Sequence, residues 1–316
     1  MILVTGANGF VGSALVQRLT ADSSLCDVVV TLRRKDILWP KGVKSVQIGD
    51  LLSTTDWSKA LEEVNAVVHC AARVHVMHDS TKDHLEIYRQ VNVLGTLNLA
   101  RQAAKAGVRR FVFLSSIKVN GEITQPGLPF TADDVPAPMD PYGISKQEAE
   151  HGLLKIAKQT GMELVIVRSP LVYGPGVKAN FASMMRWIDL GLPLPFGAIH
   201  NSRSLVAIDN LVNMLITCLK HFSAPGQIFM VSDGRDLSTT ELLQHTAEAM
   251  GKKIILLPAP TSWLKFCATL IGKRAVSQRL CGFLQVDIEK TRRMLGWTPP
   301  FTLEQGIKKT VEAMKR

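Results

Sequence analysis

The stretch from Ile2 to Gly12, ILVTGANGFVG, constrains the chain more than any other, because it reads as a buried strand, a glycine-punctuated turn and the start of a helix. Each glycine has its own task in such a turn. Gly6 turns the chain, Gly9 lets the backbone approach a ligand without a side chain in the way, and Gly12 lets helix and strand pack closely. The helix start then offers free N–H groups and the positive end of its dipole, which suits the pyrophosphate of a dinucleotide. Val11, Ala14, Leu15 and Leu19 continue the pattern at helical spacing.

Short apolar runs alternate with amphipathic segments through the first half: 2–5, 28–32, 45–48, 66–69, 111–114 and 164–167. Repeated strand–helix–strand order implies an α/β protein with a doubly wound parallel sheet and right-handed crossovers. Runs that are apolar on both faces fit strands covered by helices on each side. After Pro170 the pattern loosens at YGPG (173–176) and GLPLPFG (191–197), and helices recur near 184–190, 211–221 and 239–250, with a strand expected at 254–257. The expected division is 1–170 for the dinucleotide-binding part and 171–316 for a smaller C-terminal lobe, with strands free to interleave. With 316 residues, 46% of them hydrophobic, the chain can bury a core of that size.

The formal net charge of +10 could serve a nucleic acid, a membrane surface or an anionic small molecule. No basic run is interleaved with aromatics, so no nucleic-acid partner is expected. Cys26, Cys70, Cys218, Cys267 and Cys281 are widely spaced and form no CxxC pair, as free thiols in a reducing compartment would. The first strand begins at Ile2, leaving no room for a signal peptide, so the expected location is cytoplasmic. The apolar stretch from Trp263 to Ile271 is broken by Lys265 and is too short to span a bilayer, which leaves peripheral contact with a membrane open and predicts no transmembrane segment.

In dinucleotide folds an acidic residue about 20 positions past the glycines accepts hydrogen bonds from the ribose hydroxyls of NAD. Here the second strand ends VVVTLRR, and Arg33 and Arg34 occupy that region. An arginine pairs with a 2′-phosphate instead, which favours NADP over NAD. Asp50 and Leu51 in IGDLL follow the third strand, where a carboxylate can meet the adenine, and Ala71 and Ala72 in HCAA give a small-residue passage beside the phosphates.

PYGISK sets Tyr142 and Lys146 one helical turn apart, and the apolar strand RRFVFLSS delivers Ser115 and Ser116 upstream of them. This order, downstream of the glycine turn, resembles the short-chain dehydrogenase/reductase superfamily. TGANGFVG, HCAA, NVLGTLNLA from Asn92 and VRSPLVYGPG from Val167 resemble its extended branch, the NAD-dependent epimerase/dehydratase family, over nearly the whole chain. The resemblance implies a Rossmann fold with a substrate lobe. It makes Tyr142 the acid/base, Lys146 the charge that stabilises its phenolate, and Ser116 a hydrogen-bond partner of the reacting sugar oxygen. Gly6, Asn8, Gly9, Phe10, Val11 and Gly12 would hold the cofactor, together with Tyr142, Lys146 and Pro170. Asn92 would keep the site's geometry.

By the same resemblance the substrate is a nucleotide diphosphate sugar, a UDP-sugar or dTDP-sugar, with Asn180 meeting the nucleotide and Arg203 and Arg279 the phosphates. A homodimer formed through paired helices is the family's habit. Dehydratase members carry an acidic pair where this chain has Ile117 and Lys118, so dehydration is not expected. Many epimerases have tyrosine in place of Asn120 and asparagine near Leu171. HCAARVHVMHD, VRSPLVYGPGVKANF and RSLVAIDNLV resemble members that handle UDP-N-acetylhexosamines or their 4-keto-6-deoxy forms in surface polysaccharide synthesis, and Arg33 favours reduction of a UDP-4-keto-6-deoxy-N-acetylhexosamine. The alternatives are a UDP-glucose or UDP-N-acetylglucosamine 4-epimerase that retains NAD, and a non-catalytic NADP sensor, against which the Ser116, Tyr142 and Lys146 set argues. His69, His75, His78 and His84 show no HExxH or paired-cysteine spacing, so no metal site is expected.

Overall fold

The structure, a computed structural model, describes residues 1–21, 27–33, 39–40, 42–74, 84–177, 180–270, 272 and 274–314. Cys26, Arg34, His75 and His78 lie outside these residues. In chain order the first half gives β1 (Ile2–Thr5), α1 (Phe10–Ala21), β2 (Val28–Leu32), β3 (Val43–Gln47), β4 (Ala66–His69), α2 (His84–Tyr88), α3 (Thr96–Lys105), β5 (Arg110–Ser116), α4 (Pro141–Thr160) and β6 (Glu163–Ser169). The second half gives β7 (Leu171–Tyr173), α5 (Asn180–Asp189), β8 (Leu205–Ala207), α6 (Ile208–Lys220), β9 (Gln227–Met230), α7 (Thr239–Met250), α8 (Thr261–Leu270), α9 (Arg274–Cys281), α10 (Glu289–Leu295) and α11 (Leu303–Met314).

Among the described residues, seven strands form one sheet in the order β3-β2-β1-β4-β5-β6-β9, and every pairing is parallel. Chain order runs outward in both directions from β1. The glycine turn after β1 therefore opens at the point where the winding reverses, which is where ligands bind in open α/β sheets. One face is buried under α1 and α6 through Leu15, Leu19, Leu211 and Leu215, and the other under α3 and α4 through Leu99, Ala103, Leu153 and Ile156. The lobe has its own core, in which Tyr173, Phe181, Ile188, Leu243 and Ile307 meet. β9 and α6 come from beyond residue 170, yet β9 completes the large sheet and α6 covers it.

Two local expectations shift. β3 starts at Val43 and has no fully buried position, because it is the sheet edge with a neighbouring strand on one side only. The strand expected at 254–257 makes a single bridge, Leu194 with Leu256. Pro258 and Pro260 follow at once, and each lacks the N–H a longer ladder would need.

Candidate active site

Three elements converge at the carboxyl ends of the central strands. β5 ends at Ser116, whose hydroxyl accepts the Lys118 backbone N–H at 3.3 Å. Helix α4 is started by Asp140, whose carboxylate accepts the Gly143 N–H at 2.7 Å, and by Pro141 in the first turn. That cap fixes where Tyr142 begins the helix and, one turn on, where Lys146 faces the sheet. The Lys146 ammonium donates to the Leu114 carbonyl at 2.8 Å and sits 4.3 Å from the centre of the Phe113 ring. The Ser116 side chain hydrogen-bonds the Tyr142 hydroxyl, and the Tyr88 ring meets the Tyr142 ring edge-on at 6.0 Å.

Burial and charge pull the two titrating groups in different directions. Burial pushes the Tyr142 phenol above its ordinary value, Asp140 and Tyr88 push the same way, and the hydrogen bond from Ser116 pulls it down. Burial brings Lys146 down to about 8, with Glu150 and then Cys70 resisting. Lys146 is only 2% exposed. An ammonium that is this dry stabilises a neighbouring anion far more than one in water would. His69 is held neutral, at about 3, by burial and by the Lys146 charge; it bridges Thr5 Oγ1 at 2.7 Å and Thr96 Oγ1 at 2.9 Å.

Asn92 sits in a π-helical turn, Arg89–Gly95, and its amide clamps the backbone after β4 from both sides: Oδ1 accepts the Arg73 N–H at 2.8 Å, and Nδ2 donates to the Arg73 carbonyl at 3.0 Å. Nδ2 also reaches Ser145 Oγ at 3.0 Å, tying this segment to the helix that carries Tyr142. A wider turn of this kind is a frequent mark of functional sites.

The glycine turn fits a dinucleotide pyrophosphate. A Cβ on Gly6 would come within 2.7 Å of the Ala71 backbone nitrogen, and one on Gly12 would run into the Gly6 carbonyl oxygen, so both glycines are needed for the turn to close. Gly9 and Asn8 are exposed at its tip, and the first turn of α1 carries no acidic residue. Phe10 and Val11 pack half-buried against the core below. Ala71 and Ala72 are half-buried beside the turn, and Pro170 is buried at the end of β6. Leu51 packs against Gly95, where a Cβ would lie 2.7 Å from the Leu51 carbonyl oxygen.

In the lobe, Arg203 donates to the Gly282 carbonyl at 3.1 Å, and its guanidinium is lowered from its ordinary value by burial and then by the nearby Arg279 charge. Two cations brought together in this way form a receptive place for an anion. Asn180 opens α5; its side chain lies outside the described residues.

Sequence reasoning passed over Glu150, Arg168, Asp140 and the roles of Lys118 and Asn120. Arg168 donates to Glu150 Oε2 at 2.6 Å and to Asn120 Oδ1 at 2.9 Å, and Ser115 Oγ donates to Glu150 Oε1 at 2.5 Å. The signal was available: a lone arginine inside the apolar run LVIVRS implies a buried partner. Asn120 is thereby occupied in holding Arg168 and the Thr131 carbonyl, the latter at 3.0 Å. Lys118 forms ion pairs with Asp140 and, at 3.2 Å, with Glu122.

A serine, a tyrosine and a lysine converging above the switch point of a parallel sheet define a Tyr–Lys oxidoreductase of the short-chain dehydrogenase/reductase type. The model of the NAD dependent epimerase/dehydratase family matches residues 2–232, and the chain belongs to that family. A UDP-glucose 4-epimerase of Vibrio cholerae is 49% identical over 99% of this chain and 94% of its own length. MoeE5, solved in complex with UDP-glucose and NAD, superposes with a TM-score of 0.78 at 27% identity, covering 100% of this chain and 98% of that one. The UDP-glucose 4-epimerase of Thermus thermophilus, in complex with NAD, gives 0.76 at 27% identity over 99% and 98%. The protein is thus an enzyme of the extended short-chain dehydrogenase/reductase type, within the NAD dependent epimerase/dehydratase family. Among the described residues no helix is long and apolar enough to cross a membrane.

These relatives overturn the expectation of NADP: the solved ones hold NAD. The structure supplies a physical reason. Arg33 lies on the surface with its guanidinium 3.7 Å from the Asp50 carboxylate. A 2′-phosphate paired with Arg33 would meet that second anion, so the cation is not the isolated phosphate receptor the sequence suggested.

Proposed function

We propose that the protein interconverts the C4 epimers of a UDP-hexose, glucose/galactose or their N-acetylated forms, with NAD retained through the cycle. The observation that carries this is the 49% identity, over almost the full chain, to a UDP-glucose 4-epimerase, together with the assembled Ser116, Tyr142 and Lys146. NAD, held by the glycine turn, would supply the acceptor and donor of hydride for the C4 carbon.

The chain's own residues do the rest. Tyr142 takes the proton of the C4 hydroxyl as hydride leaves and gives it back afterwards, so the proton is conserved. Lys146 stabilises the phenolate by charge, and Ser116 holds the sugar oxygen against the phenol. Gly6, Asn8, Gly9, Phe10, Val11 and Gly12 cradle the pyrophosphate of the cofactor. Asp50 and Leu51 border its adenosine half, Ala71 and Ala72 its phosphates, and Pro170 its nicotinamide. Arg203 and Arg279 take the diphosphate of the substrate and Asn180 its nucleotide, in the crevice between the large sheet and the lobe.

One observation favours a second reading, reduction of a 4-keto sugar. Leu171, 45% exposed beside Pro170, offers no side-chain hydrogen bond near the position where many epimerases have asparagine. Purified enzyme given UDP-glucose or UDP-N-acetylglucosamine without added cofactor should yield the galacto epimer by NMR. No epimer, with net oxidation of added NADH by a UDP-4-keto sugar, would replace epimerisation with reduction.

A further inference from the structure

Among the described residues, an exposed apolar row lies on a helix of the C-terminal part. Helix α8 presents Trp263, Phe266 and Leu270 at 67%, 62% and 71% exposure. Their spacing of three and then four residues puts them on one face of the helix, so they form a stripe and not a scatter. Just before the helix, Ile255 and Leu257 are exposed as well. The Ile255 carbonyl accepts the Leu194 N–H at 2.9 Å and the Leu257 N–H donates to the Leu194 carbonyl at 2.8 Å, which brings the exposed Leu190 and Leu192 turn alongside. Single exposed leucines need no explanation, but a row of this density does.

Charge says what covers it. From Glu248 to Asp287 the sequence has no acidic residue between, and Lys252, Lys253 and Lys265 are all exposed within that interval. Lys252 is paired at 3.0 Å with Asp189, which ties the interval to the Leu190 turn. A second copy of the chain docked through the same face would bring the same excess of lysines, Lys253 and Lys265 beside the paired Lys252, to the contact. An acidic bilayer surface is complementary on both counts: its headgroups attract the lysines, and its interface accepts tryptophan, phenylalanine and leucine.

We propose that α8 and the Ile255–Leu257 segment dock the protein on an anionic phospholipid surface, with Trp263, Phe266 and Leu270 entering the headgroup–acyl boundary. The enzyme is then a peripheral membrane protein whose catalytic crevice stays in water. None of these side chains belongs to the Ser116, Tyr142 and Lys146 site, so the proposal stands apart from the choice between epimerisation and reduction.

The full chain is sedimented with vesicles of phosphatidylcholine and with vesicles of phosphatidylcholine and phosphatidylglycerol, at low and high salt. Partition should favour the phosphatidylglycerol vesicles by about ten-fold at low salt and weaken as salt rises. The W263S/L270S variant should lose about ten-fold in partition, as should K253E/K265E, which changes only surface charge and so guards against a folding defect. Turnover of the nucleotide sugar in free solution should not change in either. Absence of partition, or equal partition by wild type and K253E/K265E, overturns the proposal. So does self-association of the wild type that W263S/L270S abolishes in sedimentation equilibrium, since the face would then be a contact between copies.

Discussion

Glu150 and Arg168 meet in a two-point ion pair, Nη2 to Oε2 at 2.6 Å and Nε to Oε1 at 3.1 Å, with both side chains 2% exposed. Glu150 lies one helical turn beyond Lys146, and its charge holds the Lys146 ammonium up against burial. The pair therefore joins β6 to α4 and opposes the loss of charge that burial imposes on Lys146.

Replacing one partner leaves the other buried and unpaired. E150Q should cost about 3–5 kcal/mol in urea unfolding, while the E150L/R168M double variant should cost less because it buries no lone charge. Without Glu150 the Lys146 ammonium falls below about 8. The alkaline limb of the kcat profile of E150Q should then move to lower pH. A profile that keeps its wild-type limb would separate Glu150 from the chemistry.

Lys146 itself links stability to pH. Its value falls from 10.5 to about 8 on folding, so between these two the unfolded chain binds more protons than the folded one. Stability contributed by this group therefore rises as pH climbs through that window, and below about 8 a constant penalty remains. K146M removes the penalty. Its unfolding free energy in urea at neutral pH should exceed wild type by about 1–3 kcal/mol, and the gap should close near pH 10.5. Turnover should be lost throughout.

Lys118 occupies the position where dehydratases carry an acid, and it neutralises Asp140. Asp140 in turn raises the Tyr142 phenol. K118M leaves that carboxylate unpaired, so the phenol rises further. The acidic limb of the kcat profile should shift upward, with about ten-fold less turnover at neutral pH, and K118R should restore most of it.

Periodicity carried most of the fold. The runs at β1, β2, β4, β5 and β6 are apolar on both faces because helices cover both, so their identity could be read locally. Edge strand β3 blurred because half of it faces water, and β9 hid in QIFM, too short to distinguish from a helix fragment. Ser116, Tyr142 and Lys146 were legible because their spacing lies within one strand end and one helical turn. The Glu150–Arg168–Asn120 network was not, since its members lie far apart in the chain and only the sheet brings them together. Arg33 misled because sequence shows a cation without the Asp50 carboxylate beside it.

Arg203 and Arg279 give the most direct test of where the substrate's diphosphate lies. Each guanidinium repels the other in the protein as it stands, and an anion between them would turn that repulsion into two charge-assisted hydrogen bonds. R203A should raise KM for the UDP-sugar by about ten- to hundred-fold, as expected for a lost bond to a charged group, with a smaller change in kcat. R279A should act in the same direction but less strongly, because Arg279 is exposed whereas Arg203 is half-buried and held by the Gly282 carbonyl. Since the two share one ligand, the loss in the double variant should depart from the product of the single effects. Isothermal titration with UDP alone checks the same point without turnover: wild-type affinity for UDP in R203A would move the diphosphate elsewhere in the crevice.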